Sequence, residues 1–314
     1  MPAWKDRKKR RLYERLIRDA LPGETVGNFR LHLEGGQTIV FEVDHRFIFR
    51  FPRSAFHAKL LRTETRLLPL LAPYVPLPIP RPIATGRTPD GEGWPFMGYR
   101  RIPGRPLNWD RVSPQQRHAI AEDLSPFLES LVKFPPQAAL RVGVRGGGPK
   151  EWKAQHEKDF VSYGRKGFRV MSPKIRRSVE RLFERYLDDP RNFRWKPCLT
   201  HSEIHAGHVL TIGGRVSGII DWGFVCVGDP APDLAGWASH FGTQEIDLLS
   251  RGRVAPTDTT FVDRVMLYRS LIPLYQVLYG VETKDPKMTR SGLLYLNRAL
   301  RLPSTSGWTR VRRS

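Results

Sequence analysis

The sequence predicts an α+β chain of two lobes, a small β-rich one with one main helix followed by a larger helical one. Three observations carry this. Short runs rich in β-branched and aromatic residues, "FRLHLEGG", "TIVFEV" and "RFIFRFP", crowd into residues 29–52 with "GG" and "DH" between them, as in an antiparallel meander. From Ser113 onward the apolar spacing turns helical, interrupted by one short β pair around Gly213-Gly214. The composition changes at the turn Pro103-Gly104, which divides the chain into residues 1–102 and 103–314.

The elements follow in order. Leu12, Leu16, Ile17 and Leu21 give Lys8 to Leu21 an amphipathic helical pattern, ended by Gly23. The three strands come next, and Pro52 stops the third. Ser54 is a natural N-cap for "SAFHAKLLRTETRLLPLLAPY", whose Leu60, Leu61, Leu67, Leu68 and Leu71 form one face and whose helix ends between Pro69 and Pro73. "VPLPIPRPIATGRT" is too rich in proline for a helix and fits an extended edge segment. "WPFMGYRRIPGRPL" is a further short strand ending at Pro103-Gly104. In the second lobe, Ser113 to about Phe134 reads as helix and "RGGGPKEW" as loop. "PKIRRSVERLFERYLDDP" is a helix opened by Pro173 and closed before Pro190. "HVLTIGGRVSGIIDW" is a hairpin, and "DLAGWASHFG" and "DRVMLYRSLIPLYQVLYGV" are helices. A cleft between the lobes is the default binding site.

Composition bounds the function. Lys and Arg number 52 against 31 acids, a formal net charge of +21, so the surface attracts polyanions and makes nucleic acid a candidate partner. The cations spread along the whole chain, and no zinc finger or RNP aromatic motif accompanies them. Two cysteines, Cys198 and Cys226, make no disulfide framework and no CxxC, so both are expected to be small buried residues in a reducing, cytoplasmic setting. No stretch approaches the ~20 apolar residues that cross a bilayer. The basic N-terminus lacks the apolar run of a secretion signal. The oligomeric state leaves no mark.

"LTHSEIHAGHVL" (199–210) places His201, His205 and His208 around Glu203. The spacing suits either zinc ligands or a phosphotransfer loop with replaced residues. The neighbouring "GIIDWG" decides between them, because a zinc site would leave Asp221 unexplained. His201, Ser202, Glu203 and His208 stand where protein kinases carry H-R-D-x-x-x-x-N, and Asp221-Trp222-Gly223 stands where they carry D-F-G. Phosphoryl transfer needs a carboxylate to orient the acceptor hydroxyl and an Asp with a second ligand to hold the metal on the nucleotide phosphates. Arg50 in "FIFRFPR" and Glu64 in the following helix supply a cation and its carboxylate partner for the α and β phosphates. Gly35 and Gly36 lie where a glycine turn would cover the phosphates, and Tyr99 and Ile102 lie on the segment whose backbone would hold the base.

Together "FRFPRSAFHAKLLRTETRLLPLLAPYVPLPIPRPI", "FMGYRRIPGRPL", "LTHSEIHAGHVL" and "RVSGIIDWGFVCVGDPAPDLAGW" resemble the aminoglycoside phosphotransferase family, in order and over about residues 25–295. The resemblance is nearest in flavour to its macrolide and 2″-aminoglycoside branches, in which a histidine stands at the position of His208. It implies a two-lobed protein-kinase-like fold and transfer of phosphate from ATP or GTP, with Mg²⁺, to a hydroxyl of an antibiotic- or sugar-like small molecule. In that reading Glu203 is the catalytic base, and Asp221 and His208 hold the metal. Arg50, Glu64, Gly35, Gly36, Tyr99 and Ile102 hold the nucleotide. Asp229 and Asp233 match "GDPxxDLA" and shape the loop after Asp221.

The chain departs from the family pattern at Glu203, where Asp is usual, at His208 for Asn and at Arg50 for Lys. One added methylene moves the carboxylate by ~1 Å, a displacement that can cost ~10²-fold in rate. Two alternatives therefore stand beside the enzyme: a catalytically weakened nucleotide-binding relative, and a nucleic-acid-associated protein reusing the fold. A polycationic acceptor would be repelled by the net charge unless Glu245, Asp247 and Asp263 converged, and a neutral acceptor suits the charge better.

Overall fold

The computed structural model describes residues 7–33, 38–89, 93–238, 241, 243–251 and 258–301. Its first sheet is antiparallel, in the order β1–β2–β3–β5–β4, with β1 Phe29–Leu33, β2 Thr38–Val43, β3 Phe47–Pro52, β4 Pro82–Arg87 and β5 Pro95–Arg100. The proline-rich segment is thus the edge strand. β2 and β3 are joined by Asp44, His45 and Arg46, the first two at positive φ (50° and 56°) in a turn closed by the Arg46 N–H on the Val43 oxygen at 2.9 Å. Asp44 tolerates that conformation because its carboxylate accepts the Asn28 N–H at 2.7 Å.

Alternation along β3 sorts the sheet into two faces. Phe47, Phe49 and Phe51 share the outer face with Phe41 and Val43 of β2. Helix α1 (Arg7–Asp19) covers that face through Tyr13 and Ile17, Tyr13 stacking on Phe51 at 4.4 Å. Ile48 and Arg50 share the inner face with Met97 and Tyr99 of β5. Against it packs α2 (Ala55–Leu71), capped by Ser54 and burying Leu61, Glu64, Leu67, Leu68 and Leu71.

The helical lobe opens with α3 (Pro114–Lys133), started by a capping box between Ser113 and Gln116. It continues through α4 (Pro136–Arg141), α5 (Pro149–Lys166) and α6 (Pro173–Asp188). Two small sheets then carry the loops of interest. In one, β6 (Arg105–Pro106) pairs with β9 (Val209–Ile212), which pairs with β10 (Arg215–Ile219) across Gly213 and Gly214, both at positive φ. In the other, β7 (Arg145–Gly146) runs parallel to β11 (Cys226–Gly228), which runs antiparallel to β8 (Cys198–Thr200). Helices α7 (Pro232–Ala235), α8 (Thr243–Ser250), α9 (Phe261–Glu282) and α10 (Pro286–Arg301) complete the lobe. None of the described helices is long and apolar enough to cross a membrane. The chain is therefore the α+β, two-lobed fold that the sequence predicts.

Three local readings are corrected. "RGGGPKEW" is not all loop: Arg145–Gly146 form β7, and Pro149 opens α5, whose start is held by the Glu151 carboxylate accepting the Gly148 N–H at 3.0 Å. The helix in "DLAGWASHFG" is a single turn, Pro232–Ala235. Two long helices, α5 and α10, lie outside the sequence expectations. α10 packs along α9 through Gly280 and Gly292, where a Cβ would strike Thr289 and Val277.

Under α9 lies a fully buried charge network. Arg264 reaches Asp229 at 2.8 and 3.0 Å and Asp258 at 2.7 and 2.8 Å, and the Tyr268 hydroxyl donates to Asp229 at 3.2 Å. Replacing Arg264 alone strands two buried carboxylates. Arg264→Met is therefore expected to cost about 3–5 kcal/mol of unfolding free energy, measured by urea denaturation. A loss below 1 kcal/mol would show that water already reaches the pair.

Candidate active site

The inner face of the first sheet and the β9–β10 hairpin meet at one guanidinium. Arg50 donates through one nitrogen to Glu64 of α2 at 2.6 Å and through another to Asp221 at 2.9 Å. Glu64 is fully buried and Arg50 is 6% exposed. Burial pushes the Glu64 carboxyl up against the pull of Arg50, while the two carboxylates keep the guanidinium charged. The Trp222 N–H also donates to Glu64, at 3.4 Å, so this carboxylate ties the sheet to the residue after Asp221.

Asp221 follows β10 in left-handed backbone, φ 65°. Burial raises its carboxyl, but Arg50, His208 and His201 hold it below the ordinary value. One oxygen takes Arg50 and the other lies 3.5 Å from His208 Nε2. His208 Nδ1 donates to the backbone oxygen of Glu203 at 2.8 Å, which turns Nε2 toward Asp221. Oxygen and imidazole nitrogen side by side form a two-ligand donor set. That suits Mg²⁺, which takes few protein ligands and completes its shell with water and phosphate. Among the described residues no three His, Cys, Asp or Glu side chains form a ready metal cluster.

His201 is fully buried and both ring nitrogens are in use. Nδ1 accepts the Glu203 N–H at 3.3 Å, so Nε2 carries the proton that goes to the Ile220 oxygen at 3.1 Å. Burial, then the nearby His208, push this imidazole down to about 3. His201 thus fixes the loop and is spent as a ligand. His205 is exposed and its ring accepts the Gly207 N–H.

The loop hangs from Asp233. Its carboxylate accepts the backbone N–H of Ser202 at 2.7 Å and of His201 at 3.3 Å. Asp233 therefore shapes the loop before Glu203, not the one after Asp221, whereas Asp229 accepts Ala231 N–H in its own turn and anchors to Arg264. Ser202 sits at φ 69°, a costly conformation for a residue with a Cβ. Its hydroxyl offsets part of that through Thr200 Oγ1 at 2.9 Å and Cys226 Sγ at 3.1 Å. Cys198 and Cys226 are both buried.

Glu203 is half-buried, facing the charge of Asp221 and that of Arg145. Burial and then Asp221 push its carboxyl up to about 7, with Arg145 pulling the other way. Sequence reasoning missed Arg145, Ser202 and the role of Asp233. Arg145 reaches the site only because β7 lies beside β11, a pairing with no local sequence signal.

Of the remaining residues singled out by sequence, Tyr99 is buried on the inner face opposite Ile48. Ile102 packs at the crossing between the lobes, where a Cβ on Gly218 would meet it. Gly35 and Gly36 lie outside the described residues. Glu245 is 3.7 Å from His118 on α3, while Asp263 lines a groove of about 930 Å³ between α6 and α9. The acidic trio is therefore not gathered in one pocket.

The chain matches the model of the phosphotransferase enzyme family over residues 29–257. Viomycin phosphotransferase of Streptomyces vinaceus is 28% identical over 286 residues, covering 88% of this chain and 96% of that protein. The GDP complex of wild-type aminoglycoside 2'-phosphotransferase-IIIa superposes with a TM-score of 0.82 at 25% identity, covering 92% of this chain and 97% of that one. A complex of an enzyme of this type with GDP and kanamycin superposes at 0.81, also at 25% identity, over 91% and 97%.

The electrostatics of Glu203 make a measurable claim. Its carboxyl should titrate near pH 7 in the metal-free protein, followed by ¹³C NMR of labelled glutamate. Because the negative charge of Asp221 raises that value, Asp221→Asn should lower the midpoint. An unchanged or higher midpoint would mean that Asp221 does not face Glu203.

Proposed function

The chain belongs to the phosphotransferase enzyme family, and on that premise we propose that it transfers the terminal phosphoryl group of ATP or GTP to a hydroxyl of an antibiotic- or sugar-like small molecule. The observation that carries the reading is the convergence of Arg50, Glu64, Asp221 and His208 beside the Glu203 loop. Residues 1–102 hold the nucleotide and residues 103–314 the acceptor. Tyr99 and Ile102 border the base.

Asp221 and His208 would hold the metal, and bound Mg²⁺ would supply positive charge that offsets that of the nucleotide phosphates. Arg50, fixed by Glu64, steadies the phosphate chain. Glu203 accepts the proton of the acceptor hydroxyl as that oxygen bonds to the γ phosphorus, and the nucleotide leaves as the diphosphate. Burial and the charge of Asp221 raise this carboxyl in the metal-free protein, and a cation held by Asp221 would offset the second of these, favouring the ionised base. Exposed Arg145 beside Glu203 and the net charge of +21 favour an acceptor with few positive charges. The relationship to viomycin phosphotransferase makes viomycin the first acceptor to try.

A nucleotide-consumption screen with ATP and GTP, Mg²⁺ and a panel of hydroxylated antibiotics and sugars tests the whole reading. Mg²⁺-nucleotide should raise the melting temperature of the wild type and not of Asp221→Ala. Glu203→Ala should lower kcat by about 10²-fold or more with little change in nucleotide KM, since the base acts on the acceptor. Glu203→Asp should raise kcat if the loop retains aspartate geometry. Identical background hydrolysis in all three proteins, with no acceptor phosphorylated, would leave a nucleotide-binding relative without catalysis.

A further inference from the structure

β3 ends its ladder at Pro52, opposite Thr38, and Arg53 is the first residue beyond it. Arg53 lies three residues, or about 10 Å of extended chain, past Arg50. Two of its donors, Nε and Nη2, are buried from solvent and have no hydrogen-bond partner among the described residues. Such atoms are rare, because a buried donor without a partner has lost its bonds to water, and each one calls for an explanation.

The surroundings say where these donors lie. Ser54 caps α2, and its hydroxyl is 2.9 Å from His57 Nδ1. Burial, and next the charge of Arg53, hold the His57 imidazole below its ordinary value, so Arg53 faces the first turn of α2. Phe56, in the same turn, packs on Phe224 at 6.5 Å between ring centres. Phe224 is three residues beyond Asp221. Arg53 is therefore placed where the end of β3, the start of α2 and the loop after the metal-binding Asp221 come together. Arg50 is bound to Glu64 and Asp221, while Arg53 keeps donors in reserve.

We infer that Arg53 is a second phosphate-binding cation: its guanidinium, covered in the free protein, turns outward so that Nε and Nη2 take oxygens of the terminal phosphate of the bound nucleoside triphosphate. A guanidinium fits this duty, since its fork donates to two oxygens of one phosphate. The inference rests on the nucleotide reading of the cleft and adds a residue that distinguishes triphosphate from diphosphate. It also assigns a sign to stability. A side chain held for an absent anion costs the free protein stability, so removing its unpaired donors stabilises the free protein while weakening it toward the ligand.

Calorimetric titration of the full chain with ATP, GTP, ADP and GDP, each with Mg²⁺, tests this on wild type, Arg53→Met and Arg53→Lys. Arg53→Met should lose at least about tenfold in triphosphate affinity, a difference of ~1.4 kcal/mol, and less than about threefold in diphosphate affinity. Arg53→Lys should recover part of the difference. Without nucleotide, Arg53→Met should melt at the wild-type temperature or above it. Equal losses for triphosphate and diphosphate, no loss at all, or a lower melting temperature of the free protein would each overturn the assignment while leaving the nucleotide site intact. A wild type that binds none of the four nucleotides would overturn the nucleotide reading and this assignment with it.

Discussion

One guanidinium sets the relation between the sheet, the helix and the hairpin. Arg50 joins Glu64, 14 residues on, and Asp221, 171 residues on. All three would be costly charges if parted, for a buried ion without its partner forfeits several kcal/mol. The sheet therefore cannot slide over α2, nor can the hairpin tilt from either, without exposing that cost. The choice of arginine matters here. A lysine is a point charge, whereas the guanidinium fork spans two carboxylates at once, each on its own nitrogen. The Trp222 N–H on Glu64 closes the same circuit through the backbone.

The loop that carries Glu203 is held by atoms outside the Glu203 side chain. Asp233 grips the N–H groups of His201 and Ser202, His201 fixes Glu203 N and Ile220 O, and His208 fixes Glu203 O. Backbone position is thereby set independently of the side chains at 202 and 203. Ser202 in left-handed backbone is tolerated on the same terms, with Thr200 and Cys226 accepting or donating to its hydroxyl.

What could be read in the sequence followed the range of the interactions. "FIFRFP" showed its two faces because strand alternation is local, and Arg50 fell on the inner face with Ile48 for that reason. Glu64 was legible from the leucine spacing of its helix, and Asp221 from the hairpin before it. The hidden parts depend on chain segments meeting from far apart. Arg145 belongs to a two-residue strand inside a glycine-rich run, and only the parallel neighbour Cys226 makes it a strand. The start of α5 was masked by the same glycines. Asp233 was visible as a motif residue, but not the loop it serves, since its hydrogen bonds cross 31 and 32 residues.

The two hydrophobic clusters have a consequence for the order in which the molecule is made. The cluster of Tyr13, Ile17, Phe41, Phe47, Phe49, Phe51 and Phe96 lies wholly within the first third of the chain. A nascent chain leaving the ribosome therefore owns the parts to seal one side of its sheet long before Asp221 is translated, and units with their own core fold early in synthesis. The other side, with Ile48, Met97 and Tyr99, belongs to the larger cluster shared with the helical lobe. Once β5 is made the sheet is covered by α1 on one face and by α2 on the other, and Arg50 already has Glu64 as its short-range partner. What the inner face still awaits is the helical lobe's share of its core and the second partner of Arg50, Asp221, synthesised more than a hundred residues later.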